Sequence, residues 1–91
     1  MKFYEFLEAI NKTLIITKYP GRSSFSADIE YAEIEISGRC LQGVYMEGAT
    51  PVLAIKALME YVKGKKLIFN ATDKKRRLEL NVPKNLTLNK C

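Results

Sequence analysis

Four consecutive cations, Lys74, Lys75, Arg76 and Arg77, follow Thr72-Asp73 and lie between two apolar runs. At a polar turn such side chains reach a phosphate without being buried. Arginine offers it two parallel N–H donors, and lysine offers a mobile point charge. Lys65 and Lys66 stand at the other end of the preceding apolar run and complete a candidate phosphate- or ligand-binding set, with Lys63 nearby. The same residues also suit a solvated turn that keeps a sheet edge from pairing with another chain. A second charged run has the opposite sign. Asp28, Glu30, Glu33 and Glu35 would suit a divalent metal only if several converged on it. Each alternates with an apolar neighbour, so they are expected to line a solvated acidic face instead.

Catalytic chemistry is poorly supplied. The chain has no histidine, which leaves proton transfer to carboxylate, lysine, tyrosine or cysteine. Cys40 has no neighbouring base to activate it and is expected to be a small buried hydrophobe, while Cys91 is expected to be an exposed thiol. The two cysteines have no Cys-x-x-Cys spacing, and Gly43 and Gly48 do not form a phosphate-binding loop. These features predict a binding protein with no catalytic residues, no metal and no cofactor.

An apolar candidate site sits elsewhere. Val52 and Leu53 fall in the first turn of a predicted helix, where the dipole favours acids, and Tyr45 and Met46 precede them. Exposed together, the four would form a patch for a partner or for a second copy of the chain. Burial beneath the first helix is the alternative.

The elements that position these groups follow from periodicity. Phe3, Phe6, Leu7 and Ile10 repeat at helical spacing, predicting a short amphipathic helix from about Lys2 to Asn11. Thr13 to Tyr19 is β-branched and aromatic and predicts a strand, closed by the turn signal Pro20-Gly21. From Phe25 the apolar residues alternate through Ala27, Ile29 and Tyr31, then change phase to Ala32, Ile34 and Ile36. One flat strand cannot hold both sets on one face, which predicts a bulge near Tyr31-Ala32. Cys40 to Met46 predicts a third strand. Thr50 as N-cap, Pro51 at the first helical position and Gly64 as stop bracket a helix whose stripe is Ala54, Ile55, Leu58 and Val62. Leu67 to Ala71 and Leu78 to Val82 are the last strands, and Lys84 to Cys91 is expected to be a loose tail.

The order is α-β-β-β-α-β-β. It predicts one α+β domain over residues 1–91, an antiparallel sheet of four to five strands with two helices on one face. Leu14, Ile16, Ile29, Ala54, Ile55, Leu58, Val62, Ile68 and Leu80 are its expected core. A chain of 91 residues supports one modest core, and a small basic domain with an apolar patch is expected to form a homo-oligomer. No run reaches the ~20 apolar residues of a membrane span. The acids Glu5 and Glu8 interrupt the opening residues where a signal peptide would be apolar, so a cytoplasmic location is expected. The net charge of +5 borders on values that suggest nucleic acid. Its uneven distribution predicts two electrically different faces.

The segment Tyr45-Met46-Glu47-Gly48-Ala49-Thr50-Pro51, leading into Val52 to Leu58, resembles HicB-like antitoxin domains, with a strand, a glycine and Thr-Pro opening a helix. The likeness covers roughly Thr13 to Leu67 and implies a partial ribonuclease-H-like core of β-β-β-α-β order. Members of that family usually carry acids where this chain has Val52 and Leu53. Over nearly its whole length the chain is similar to small phage and prophage proteins of low-GC Gram-positive bacteria. The residues that carry this are Ile10 to Thr13, Gly48 to Pro51, Gly64 to Ala71, and Arg77 through Val82-Pro83. That similarity implies an accessory factor, acting in the cytoplasm of the bacterial host, that inhibits an antiphage defence system. It would block a host defence protein or sequester a nucleotide signal. The HicB likeness implies instead an antitoxin module neutralising a small ribonuclease toxin, and the cations leave open a small nucleic-acid-binding domain.

Overall fold

The computed structural model describes residues 1–38 and 40–88. Its elements are α1 (Phe3–Ala9), β1 (Leu14–Thr17), β2 (Phe25–Ser37), β3 (Cys40–Gly48), α2 (Pro51–Val62), β4 (Lys66–Phe69) and β5 (Leu78–Asn81). The α+β class and the α-β-β-β-α-β-β order are as the periodicity predicts. All strand pairings are antiparallel.

The long strand β2 is the spine. β3 runs along one side of it, with Asp28 opposite Tyr45 and Glu33 opposite Gly43. On the other side β1 covers its first half, Leu14 opposite Ile29. β4 meets its second half, Ile68 opposite Glu33, and β5 lies beyond β4. Between the two halves the register slips, between Asp28 and Glu33. Tyr31 takes a left-handed backbone there, φ 65°. The predicted bulge is therefore present. It is what lets Ala27 and Ile29 before it, and Ala32 and Ile34 after it, all face the same core.

That core is closed by both helices. Phe3, Phe6 and Leu7 of α1 and Ala54, Ile55, Leu58, Met59 and Val62 of α2 join Val44, Leu67 and Phe69 of the sheet. Thr50 caps α2, its Oγ1 accepting from the Leu53 N–H at 3.1 Å, and Pro51 follows at the first helical position. Two expected core residues are placed differently. Ile16 is 39% exposed, because β1 is an edge strand too short to be covered along its length. Ile68 is buried but stands outside the helix-side cluster, where Leu67 and Phe69 point instead. Cys40, expected to be buried, is exposed because the β2–β3 hairpin projects past the helices, leaving Ile36 exposed as well.

The expectation of a loose tail from Lys84 is corrected as far as Leu88. Leu86 is 1% exposed, and Leu88 packs against the core. Phe3 N–H donates to the Thr87 carbonyl at 2.8 Å, and Thr87 N–H donates to the Met1 carbonyl at 3.1 Å. An apolar Leu-x-Leu pair, Leu86 and Leu88, has enough surface to anchor this strap across the start of α1. Cys91 lies outside the described residues.

Candidate functional site

The sheet face away from the helices carries the chemistry. Residues directly opposite across strands share a face, so Ser26, Asp28, Glu33 and Glu35 of β2 stand beside Glu47, Tyr45, Gly43 and Leu41 of β3. With Glu79 opposite Ile68, this open face holds five of the chain's ten acids: Asp28, Glu33, Glu35, Glu47 and Glu79. Glu33 and Glu35 are spread along the strand, and no group of three or more metal-ligating side chains converges among the described residues.

Over β1, β2 and β3 the open face hollows into a depression of about 690 Å³. Tyr19, Tyr31 and Tyr45 line it, with Asp28, Arg22 and Glu47 between them. Each tyrosine arrives by a different route. Tyr19 and Arg22 come from the turn after β1, where Arg22 N–H donates to the Tyr19 carbonyl at 3.1 Å and Gly21 takes φ 84° as its turn position requires. Tyr45 alternates outward from β3. Tyr31 is turned out by the bulge and is 80% exposed. An aromatic residue in the left-handed region is rare and costs on the order of 1–3 kcal/mol, and such strain collects at functional sites.

Asp28 is the least comfortable group in the molecule. Among the described residues its Oδ1 is buried with no hydrogen-bond partner. Its pKa is raised, first by desolvation and then by the neighbouring charge of Glu30. A raised folded pKa contributes stability below the unfolded value, and that contribution is lost as pH rises through the folded one. At pH 7 the ionised carboxylate therefore weighs against folding. Asp28→Asn should raise the thermal midpoint at pH 7, with the gap closing as pH falls through the raised folded pKa of Asp28 and gone below the ordinary aspartate value of about 4. Paired melts at pH 7 and pH 3 measure this. A lower midpoint for the variant at pH 7 would mean that the fold supports the charge.

Arg22, by contrast, is matched. Its Nη1 lies 3.0 Å from Glu47 Oε2, while Ser24 Oγ donates to Glu47 Oε1 at 3.1 Å.

Three of the six candidate cations, Lys66, Arg76 and Arg77, have a carboxylate beside them. Arg77 donates through Nε to Glu79 Oε2 at 2.8 Å and through Nη1 to the Ala71 carbonyl at 3.1 Å, closing the turn. Lys66 Nζ lies 3.2 Å from the other oxygen of Glu79. Hydrogen bonds from Arg77 and then Lys66 hold the Glu79 carboxyl below the usual glutamate range. Arg76 pairs loosely with Asp73 at 3.9 Å, and Asp73 Oδ1 accepts from the Lys75 N–H at 3.0 Å. Lys65 Nζ donates to the Tyr61 carbonyl at 2.6 Å and sits 4.8 Å from that ring. Among the described residues, Lys74 and Lys75 make no ion pair. Phe69, the aromatic nearest this turn in sequence, is buried with Lys12 Nζ 4.3 Å from its ring. It is not available to stack on a base.

The apolar candidates divide between surfaces. Val52 and Leu53 are 64% and 49% exposed on the first turn of α2, not buried beneath α1, because the helix turns Ala54, Ile55 and Leu58 toward the core instead. Met46 points to the helix side and packs against the core, whereas Tyr45 belongs to the open face. The four residues do not form one patch.

Sequence reasoning missed Tyr19, Tyr31 and Asp28 as members of one site. The phase change at Tyr31-Ala32 was the signal available, since a bulge turns one side chain out of the core pattern. No family model, curated protein or solved structure matches the chain.

Proposed function

We propose that this is a non-enzymatic binding protein whose open sheet face covers a basic, nucleic-acid-binding surface of another protein. In the setting that the phage resemblance implies, the partner is an effector of a bacterial antiphage defence system in the host cytoplasm. The observation that carries this reading is the pairing of carboxylates with exposed tyrosines on the open face. Carboxylates stand in for phosphates, and tyrosines supply large, rigid contact area beside them. The chain as a whole is positive, so long-range attraction to a basic partner is weak. Within a Debye length of about 8 Å the local acids dominate, and affinity comes from contact rather than steering.

The other readings fit less well. A nucleotide needs cations for its phosphates, and among the described residues the depression offers only Arg22, which Glu47 already neutralises. A nucleic-acid-binding domain would rest on Lys74 and Lys75, and Tyr31, the exposed ring that lines a depression with Asn70 and Thr72 beside that turn, stands there next to the carboxylate of Glu33. An antitoxin would use the same acidic face against a basic ribonuclease, so the two protein-directed readings differ in partner rather than in chemistry.

The test is a panel of bacterial strains, each carrying one defence system, infected in the presence of this protein. In the strain where it restores plaques, Glu33→Lys/Glu35→Lys should reduce protection at least about tenfold, because like charges facing each other across an interface cost several kcal/mol. Lys74→Glu/Lys75→Glu should leave protection intact. The reverse pattern would move the site to the basic turn, and indifference to both would overturn the proposal.

A further inference from the structure

We infer that the depression around Asp28 receives an arginine side chain, its guanidinium set against the Asp28 carboxylate and among the rings of Tyr19, Tyr31 and Tyr45. The inference rests on the reading of the open face as a protein-binding surface, and it names the chemistry of that surface's centre.

Three observations on charge and shape lead to it. First, the local charge is unbalanced. Arg22 is matched by Glu47 at 3.0 Å, whereas among the described residues Asp28 has no matching cation and feels the further negative charge of Glu30. An incoming cation restores neutrality, and an anion worsens the imbalance. Second, an acceptor stands ready, since Asp28 Oδ1 is buried without a donor among the described residues. An acceptor left in that condition gains the full value of a charge-assisted hydrogen bond when a donor arrives. The broad χ2 torsion of aspartate lets the carboxylate turn to meet it. Third, the walls are aromatic and accessible, and their rings attract a cation by their quadrupoles.

Arginine fits this environment better than lysine. Its guanidinium is planar, stacks on aromatic faces, presents several donors in one plane and is weakly hydrated, so removing it from water is less costly. An ammonium group is compact, strongly hydrated and unable to stack. A metal ion is a poor occupant, because of the two carboxylates lining the depression Glu47 is already paired with Arg22, and no group of three ligating side chains forms among the described residues. The volume of about 690 Å³ exceeds one guanidinium. The arginine therefore enters on a segment of the partner, with its neighbours against the rim at Thr17 and Ser26.

The probe is N-acetyl-arginine methylamide, titrated into isotopically labelled protein while the amide and ring signals are followed by NMR. Saturable shifts are expected at Asp28, Tyr19, Tyr31 and Tyr45, with a dissociation constant in the millimolar range. N-acetyl-lysine methylamide should bind at least about fivefold more weakly, and guanosine monophosphate should not compete. Asp28→Asn keeps the side-chain shape and should weaken arginine binding at least about tenfold in a protein whose spectrum remains folded. Tyr45→Phe should retain binding, and Tyr45→Ser should lose it. Absence of saturable shifts at these residues, unchanged affinity in Asp28→Asn, or tighter binding of guanosine monophosphate would each overturn the inference. The two readings fail separately. If the arginine probe does not bind but Glu33→Lys/Glu35→Lys still abolishes protection, the pocket falls and the acidic face stands.

Discussion

Leu58→Ala should lower the free energy of unfolding by about 2–5 kcal/mol, the range for removing a fully buried leucine and leaving a cavity behind. Leu58 is 0% exposed at the middle of the α2 stripe, with Ala54, Ile55 and Val62 beside it and the sheet beneath. Neighbours on a helix and a hydrogen-bonded sheet cannot collapse far into the space, which favours the upper half of that range. A domain of this size has roughly 5–15 kcal/mol in total, so the variant gives up a large share of its stability. In a urea titration the midpoint should fall sharply while the slope stays constant. A loss under about 1 kcal/mol would show that α2 is not seated on the sheet as described.

A comparable loss is expected from adding one methyl group. In Gly48→Ala the new Cβ would lie 2.6 Å from the Leu53 carbonyl carbon and closer still to the Ala54 nitrogen, both backbone atoms in the first turns of α2. No rotamer change relieves such a clash, so either the helix lifts or the end of β3 bends. Overpacking of this kind costs typically about 1–3 kcal/mol and occasionally more. The helix start moves with it, so the Thr50 cap is weakened too, adding on the order of 1 kcal/mol. Gly43→Ala is the control, since nothing lies within 4 Å of a Cβ there. Thermal melts of the pair should show a drop for Gly48→Ala that Gly43→Ala does not share. Equal midpoints would mean that α2 stands farther from the sheet.

The helix α2 that Gly48 approaches was legible from the chain for a separate reason. Thr50, Pro51 and Gly64 mark its ends through local backbone chemistry, which needs no knowledge of the rest of the fold. The bulge was legible for a similar reason, because a change of phase between Ile29 and Ala32 has few geometric solutions. Leu67-Ile68-Phe69 was legible as a strand but its facing was not, since three apolar residues in a row give no alternation. The structure buries all three, and only pairing with Leu80 and Leu78 assigns Leu67 and Phe69 to the helix side. The site was legible least of all. Lys66, Arg76 and Arg77 look free in a string of letters, yet each has a carboxylate beside it once β4 and β5 pair. Tyr19, Tyr31 and Tyr45 are separated by a turn, a bulge and a hairpin. Their convergence on Asp28 is a property of the folded sheet and of no segment within it.

The clasp of Phe3 onto Thr87 has a consequence for the order in which the molecule comes together and apart. The sheet and α2 are built from residues 14–81, through hairpins and neighbouring elements. The helix α1 and its strap depend on joining positions more than eighty residues apart, the least favourable loop to close. That seam is expected to form last and to open first, as a partial unfolding below the global transition. Opening it would bare Phe3, Phe6, Leu7 and Leu86 together while leaving the open face, on the opposite side of the sheet, in its folded shape. The protein can thus fray on one side, becoming prone to proteases and to association through that apolar surface, without disturbing the geometry of the other.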